Sequence, residues 1–452
     1  MRAGIIGIGS YKPSYCLTNE RLEEMVETSD EWIIERTGMK NRPISGLQEN
    51  VYVMGAMASL RAIYSAKLKV DQIDAIIGCT NTGLFAFPNF GSVIQYLIGA
   101  KEIPSWELGA GCSAQLYGLN VADALVRANS YKNVLVVASD ALSTNVDYED
   151  RDTCVLLSDI ASAFVVSNVE KGGVLSTVGM SNGSLGPLLY RISGIGNQVT
   201  DYEKMRFSTD SITTRPYLVM DGKKVFAHAV RTMSELSKKA LELVDKELEK
   251  ENRRLDMEKL IVVPHHANQR IIDATVERLG ISKEKAYCII DEIGNSSAGS
   301  VGYAFEDGLR KEKIKVGDCA LLVVFGAGLT GAAAVVQVTS GAVDYTKNIP
   351  DNTSEEVFRI YDSKFGSILP TTVEGYEKRL IDKIRERREL EGEIYPHRTN
   401  EEIPLNGLSR SARLRKADRY LFQAFDDYRI AAKLKSGYTL AHFVLDHMKH
   451  KN

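Results

Sequence analysis

Two stretches of helical periodicity, residues 51–68 and 224–248, stand at equivalent places in a repeated pattern of apolar and polar positions. Each leads through an acidic turn into a short apolar run: Val70-Asp-Gln-Ile-Asp-Ala-Ile-Ile-Gly-Cys79, then Leu255-Asp-Met-Glu-Lys-Leu-Ile-Val-Val-Pro264. Runs this short, bounded by turn residues, predict buried strands. A polar elbow ending in asparagine then opens a helix, over 89–99 in one copy and 268–280 in the other. A further strand, a small-residue elbow and a long helix follow. The elbow is Gly109-Ala-Gly-Cys-Ser-Ala114 in the first copy and Gly294-Asn-Ser-Ser-Ala-Gly299 in the second. Each copy closes on a strand pair, 133–138 with 161–167 and 319–325 with 332–338.

Two copies of one strand–helix unit predict two pseudo-equivalent halves. Strands so apolar need both faces covered, which gives a layered α/β sandwich. The expected divisions are 1–175, 176–340 and a mostly helical extension over 341–452. The connection 181–217 is rich in Gly, Ser, Thr and Asn and long for a link, a property of functional or disordered segments. In the extension, Thr371-Thr-Val-Glu374 has the form of a capping box opening a helix to about 390. A second helix is expected over 409–434, with Leu414, Leu421, Phe425, Tyr428 and Ala432 on one stripe, and a third over 440–448. These stripes call for packing on the core, on a second subunit or on a partner.

Composition narrows the function. The 452 residues are 44% hydrophobic and 25% charged, with a net charge of -3, so no global basic field invites nucleic acid. No apolar run approaches the roughly 20 residues of a membrane span. The N-terminus lacks a cleavage-type signal, so a cytoplasmic, reduced enzyme is expected. The six cysteines include no C-x-x-C pair, which argues against a zinc knuckle or a disulfide scaffold. His442, His447 and His450 lack a metal spacing, and no metal or other cofactor is expected. Gly4-Ile-Ile-Gly-Ile-Gly9 lacks dinucleotide spacing and reads as an edge strand.

Cys112 is set apart from the other cysteines by its flanking small residues and its place between a strand and a helix. A helix N-terminus favours a thiolate, and glycines permit close approach of a substrate. Cys79, Cys154, Cys288 and Cys319 read as inert buried thiols. His265 and His266 follow a strand directly, and Asn295 stands in the second elbow. By the repeat, all three elbows lie at one end of the sheets, where open α/β folds bind ligands. A cysteine, a histidine and an asparagine converging there suit acyl chemistry.

These features resemble the β-ketoacyl-acyl carrier protein synthase III family of thiolase-like condensing enzymes. The matching stretches are Thr28-Ser-Asp-Glu-Trp-Ile-Ile-Glu-Arg-Thr-Gly38, the Cys112 elbow, Val263-Pro-His-His-Ala-Asn-Gln-Arg270, Gly294-Asn-Ser-Ser-Ala298 and Phe325-Gly-Ala-Gly328, in the family's order. The resemblance implies that Cys112 takes an acyl group from a CoA or carrier-protein thioester. It implies that His265 and Asn295 stabilise the enolate left when a malonyl-type extender loses carbon dioxide. The backbone N–H groups of Cys112 and Ala327 would form a second oxyanion hole. Trp32, Arg36 and Arg151 match CoA-binding positions, Arg270 a carrier-docking position, and Phe87 a residue lining the acyl pocket across a homodimer interface. Departures are Gln115 in place of an aromatic, Ser158-Asp-Ile-Ala-Ser-Ala163 in place of a glycine-rich turn, Ala227 near the place of a carrier-docking lysine, and no Trp after Thr330. An acyltransferase to an alcohol or amine, and a non-catalytic partner binding acyl-carrier protein, are the competing functional classes.

Overall fold

The asparagine elbows are helix caps. Asn50 accepts from the Tyr52 and Val53 N–H groups, Asn89 from Ser92 N–H and Asn268 from Arg270 N–H, each opening a helix. A computed structural model describes residues 2–46, 48–191, 199–201, 206–207, 217–339 and 353–365. Its first sheet contains β1 (Arg2–Tyr11), β2 (Ala75–Cys79), β3 (Ser105–Glu107), β4 (Asn133–Ala141) and β5 (Asp159–Val169), in the order β1-β5-β4-β2-β3. The second contains β6 (Gly173–Ser181), β7 (Leu260–Pro264), β8 (Cys319–Gly326) and β9 (Thr330–Gln337), in the order β6-β9-β8-β7.

The two orders are the same, and so are the strand senses. The β1/β5 and β5/β4 pairs are antiparallel and β4/β2 is parallel. In the second sheet β6/β9 and β9/β8 are antiparallel and β8/β7 is parallel. The parallel β2/β3 pair has as its counterpart a single parallel bridge between Val262 and Ala286. The expected pseudo-repeat is therefore present strand by strand. The expected division after residue 175 falls inside β6, which pairs along its length with β9.

The helices are α1 (Asp30–Thr37), α2 (Val51–Ser65), α3 (Phe90–Leu97), α4 (Ala114–Arg127), α5 (Gly222–Glu249), α6 (Gln269–Leu279), α7 (Gly299–Arg310) and α8 (Thr353–Phe365). Helices α4 and α7 lie between the sheets and touch both. Helices α2 and α3 cover the first sheet's other face; α5 and α6 cover the second's. Every residue of β4 and of β8 is buried, the polar Asn133, Ser139 and Asp140 of β4 included. The Phe164 ring of β5 meets the Phe305 ring of α7 edge-on at 6.5 Å. Emptying a core position of that size costs about 3–5 kcal/mol.

The Gly4–Gly9 segment is an edge strand, as read, and its glycines serve packing. A Cβ on Gly7 would sit 2.3 Å from the Ala62 carbonyl of α2. Helix α8 is an addition to the sequence reading; Val357 and Tyr361, four residues apart, are buried on one face of it. The helices expected over 371–390, 409–434 and 440–448 lie outside the described residues, as does most of the 181–217 connection. Among the described residues no helix is long and apolar enough to cross a membrane.

Candidate active site

Cys112 occupies a tight turn, Gly111–Ser113, that runs straight into α4. Gly111 takes φ +56°, and a Cβ there would meet Ala327 N at 2.7 Å. A Cβ on Gly326 would meet Cys112 N at 2.6 Å. Two backbone segments from opposite halves thus lie against each other where no side chain fits, with the Cys112 and Ala327 amides side by side. Thr330 Oγ1 ties them together, 2.8 Å from the Ala110 carbonyl and 3.1 Å from that of Ala327.

The Cys112 thiol is partly exposed yet enclosed by protein, and burial pushes it up to about 11. The Ser297 hydroxyl, 3.5 Å from Sγ, pulls it back, while the nearby Asp140 pushes it further up. The helix N-terminus expected to favour a thiolate is present, but desolvation outweighs it at rest. At neutral pH the resting group is the thiol.

His265 follows β7 directly, its N–H donating to the Val323 carbonyl at 2.8 Å. It is 1% exposed, and burial, followed by the neighbouring His266, pulls it down to about 3, so the ring is neutral. Its Nδ1 is 2.6 Å from Ser300 Oγ. In the tautomer whose Nδ1 accepts from the Ser300 hydroxyl, the ring proton is on Nε2 and available to a ligand. The neighbouring His266 is structural, since its Nε2 accepts the Ile289 N–H at 3.0 Å.

Asn295 is held by the opposite half. Its N–H donates to the Leu156 carbonyl, and its own carbonyl accepts the Ser158 N–H, both at 2.9 Å. Ser158 Oγ donates to the Ile293 carbonyl at 2.5 Å. Arg42 lies wholly buried beneath this seam, donating to the Val155 carbonyl at 3.2 Å and to Asn19 Oδ1 at 2.6 Å. Burial lowers its guanidinium to about 10, which leaves it charged at neutral pH. Asn295 Oδ1 accepts the Ser297 N–H at 3.0 Å, so the amide nitrogen is left as the donor for the site.

One turn therefore joins all three residues foreseen from sequence. Ser297 meets Cys112 through its hydroxyl and Asn295 through its N–H, Ser300 meets His265, and the Ser300 N–H donates to the Ser297 carbonyl at 3.2 Å. Sequence reasoning missed Ser297, Ser300, Asn81, Asp140 and Arg42. Asp140 did leave a signal: it is a carboxylate just beyond the apolar run of residues 134–138, at the end where the site lies.

Two departures from the family pattern prove to be partners. Gln115 is fully buried, its Nε2 donating to Ser162 Oγ at 2.9 Å, while Ser162 Oγ also lies 3.0 Å from the Gly299 carbonyl. The serine in the altered turn thus receives the amide that replaces the aromatic.

Toward the surface, the Arg151 guanidinium carbon lies 4.7 Å from the centre of the Trp32 ring, and Arg151 donates to the Glu27 carbonyl at 3.2 Å. Arg36 is exposed on the last turn of α1, and its carbonyl accepts from Asn268 Nδ2 at 3.0 Å. Arg270 is exposed on the first turn of α6, its guanidinium 5.7 Å from the Phe226 ring centre. Asn268 therefore joins the Trp32–Arg36 helix to the one that carries Arg270. Phe87 is 86% exposed on the loop before α3, so within one chain it lines no pocket. Among the described residues no group of three or more His, Cys, Asp or Glu could hold a metal ion.

Residues 106–183 match the family described as 3-Oxoacyl-[acyl-carrier-protein (ACP)] synthase III, and residues 251–338 match that family's C-terminal part. Beta-ketoacyl-[acyl-carrier-protein] synthase III of Chlamydia pneumoniae is 39% identical over 338 residues, covering 74% of this chain and 97% of that relative. The enzyme of that name from Caldanaerobacter subterraneus subsp. tengcongensis is 39% identical over 336 residues, 74% of this chain and 97% of its own length. The crystal structure of 3-oxoacyl-[acyl-carrier-protein] synthase III from Aquifex aeolicus VF5 superposes with a TM-score of 0.66 at 36% identity, over 74% of this chain and 99% of that one. The priming β-ketosynthase of the R1128 polyketide pathway gives 0.67 at 31% identity, over 75% and 97%. With nearly the whole length of such relatives matched, in sequence and in fold, the chain belongs to the β-ketoacyl-acyl carrier protein synthase III family.

Proposed function

We propose that this enzyme joins an acyl primer to a malonyl-type thioester by decarboxylative condensation. In the first step the Cys112 sulphur attacks the carbonyl of an acyl-CoA or acyl-carrier thioester. The carbon–sulphur bond to the carrier breaks, and the proton lost by Cys112 ends on the departing thiol. The Cys112 and Ala327 N–H groups hold the oxyanion formed on the way. In the second step the extender's carboxylate leaves as carbon dioxide, and the bonding pair becomes an enolate. Neutral His265 Nε2–H and the Asn295 amide hydrogen-bond its oxygen. The enolate carbon attacks the acyl-cysteine, and the thiolate leaves to give a β-ketoacyl thioester.

The observation that carries this reading is the turn joining Cys112 to two neutral donors. Simple acyl transfer to an alcohol or amine has little need of a second oxyanion site for an extender. CoA enters as part of a substrate, its adenine and phosphates suited to Trp32, Arg36 and Arg151. Arg270 is a docking point for an acidic carrier protein. A homodimer through the free edge of β3 would bring Phe87 of one subunit to the other's acyl pocket. The 86% exposure of Phe87 and the 41% exposure of Trp106 on β3 support it. Six free thiols suit a cytoplasmic setting. Fatty acid initiation and priming of a polyketide-like pathway both use this reaction.

Intact-protein mass spectrometry after incubation with a panel of acyl-CoAs and acyl-carrier proteins tests the scheme. An acyl mass should load on the parent and not on Cys112→Ala, and malonyl thioester should discharge it with release of carbon dioxide. Loading without Cys112, or discharge only to alcohols or amines, would overturn it.

A further inference from the structure

A row of hydrogen bonds behind the nucleophile ends at its sulphur. Asp140 is the penultimate residue of β4 and is fully buried. Its Oδ1 accepts the Asn81 N–H at 2.6 Å and lies 3.3 Å from both the Thr80 and Thr82 hydroxyls. Its Oδ2 accepts from Asn81 Nδ2 at 3.0 Å and from the Ala298 N–H at 3.3 Å. Burial pushes this carboxyl up, and Asn81, then Ser297 and Ala298, pull it back. The Arg191 guanidinium, lowered by burial, is raised in part by the charge of this carboxylate. Asn81 Nδ2 also donates to Ser297 Oγ at 3.0 Å, and the Ser297 hydroxyl points at Cys112 Sγ, 3.5 Å away.

Ser297 holds this place in a left-handed conformation, φ +53°. A non-glycine residue there costs free energy, and such strain concentrates at functional sites. Glycine would keep the turn and the N–H bond to Asn295 without strain. What serine adds is the hydroxyl, which accepts from Asn81 at 3.0 Å and lies 3.5 Å from the sulphur.

We propose that Ser297 is a further catalytic residue, donating a hydrogen bond to the Cys112 sulphur, and that Asn81, anchored on Asp140, is the residue that positions it. The inference rests on the condensing scheme above. Ser297 acts in both steps and keeps its proton throughout. In acylation it stabilises the attacking thiolate, while the Cys112 proton ends on the departing thiol. In condensation it stabilises the same sulphur as the acyl carbon–sulphur bond breaks. The titratable group whose charge bears on that sulphur is Asp140, which opposes the thiolate.

The test is alkylation of Cys112 by iodoacetamide in the full-length chain, followed by mass spectrometry at about pH 8.5, where the rate follows the thiolate fraction. A hydrogen bond to a charged group shifts such an equilibrium by about one to two pH units, so Ser297→Gly should slow alkylation roughly 10- to 100-fold. Asn81→Ala should slow it less. The double variant should match Ser297→Gly alone, because Asn81 acts through the serine. A folded Ser297→Gly that alkylates at the parental rate overturns the proposal, as does an Asn81→Ala effect that adds in full to it. If Ser297→Gly does not fold, Asn81→Ala decides: parental alkylation there overturns the proposal. Alkylation needs no acyl or malonyl substrate, so these outcomes are distinct from any failure of the condensing scheme.

Discussion

Replacing Gly326 with alanine places one methyl group at the junction on which both chemical steps depend. Its Cβ would lie 2.6 Å from Cys112 N, 3.0 Å from Ser113 N and 3.1 Å from Thr330 Oγ1. The first two are backbone atoms of the nucleophile turn, and Thr330 ties that turn to Ala327, so no flexible side chain can yield. Crowding of this kind costs about 1–3 kcal/mol of stability. The larger effect falls on the chemistry, because the methyl covers the Cys112 N–H that would donate to the acyl oxyanion. Loss of one such donor costs about 2.7–4 kcal/mol, or about 100- to 1000-fold in rate. Acyl transfer from CoA to Cys112 is followed by rapid quench and mass spectrometry; condensation is followed by carbon dioxide release. Both rates should fall by a similar factor, since the acyl oxyanion forms in both steps. The melting curve reports whether the variant is folded. A folded Gly326→Ala that acylates Cys112 at the parental rate would refute the assignment of that N–H.

The extender site predicts the opposite division. Asn295→Ala and His265→Ala should each retain acylation but lose about 2.7–4 kcal/mol in condensation, read from acyl loading and carbon dioxide release in parallel. Equal losses in both steps would remove these residues from an extender-only role. Trp32→Ala should raise KM for acyl-CoA while leaving kcat and the carrier-protein KM nearly unchanged, and Arg270→Glu should raise the carrier-protein KM alone; steady-state kinetics with both substrates shows whether the effects separate. Burial pulls His265 and His266 from the ordinary 6.5 down to about 3, so stability is full above pH 6.5 and is lost as pH falls toward 3, when the unfolded chain binds protons the folded one excludes. Each histidine contributes at most about 1.4 kcal/mol per pH unit, so His266→Gln should flatten urea-unfolding stability between about pH 7 and pH 5; an unchanged slope contradicts the neutral, buried ring.

Much of the architecture was legible because it is written in short-range pattern. The strands are built on short apolar runs, the elbows carry capping asparagines, and the repeat lets each half check the other. Cys112, His265 and Asn295 were legible from local signals: small residues flank Cys112 and Asn295, and His265 directly follows β7. Helix α8 was not, since its buried side shows only Val357 and Tyr361 and its remaining turns are charged. The supporting residues were hidden by distance along the chain. Asn81 and Ser297 are 216 positions apart, and Arg42 and Val155 are 113 apart. A buried arginine bonded to carbonyls and an amide reads as a surface charge until the fold is known. Gln115 and Ser162 were each noticed as departures, but only their contact explains them.

The seam that fixes Asn295 also dictates when activity can arise during folding. Its backbone partners, Leu156 and Ser158, belong to the other half, as does Arg42 beneath it, while Ala327 reaches Cys112 from the opposite direction. Contacts this remote in sequence carry a loop-closure cost and exist only when both halves are in place. A chain with one half folded therefore carries an ordinary thiol with neither Ala327 nor Ser297 beside it. In the proposed scheme the oxyanion hole and the Ser297 hydroxyl reach Cys112 only when both halves are in place, so a chain lacking either half should show no catalysed acylation.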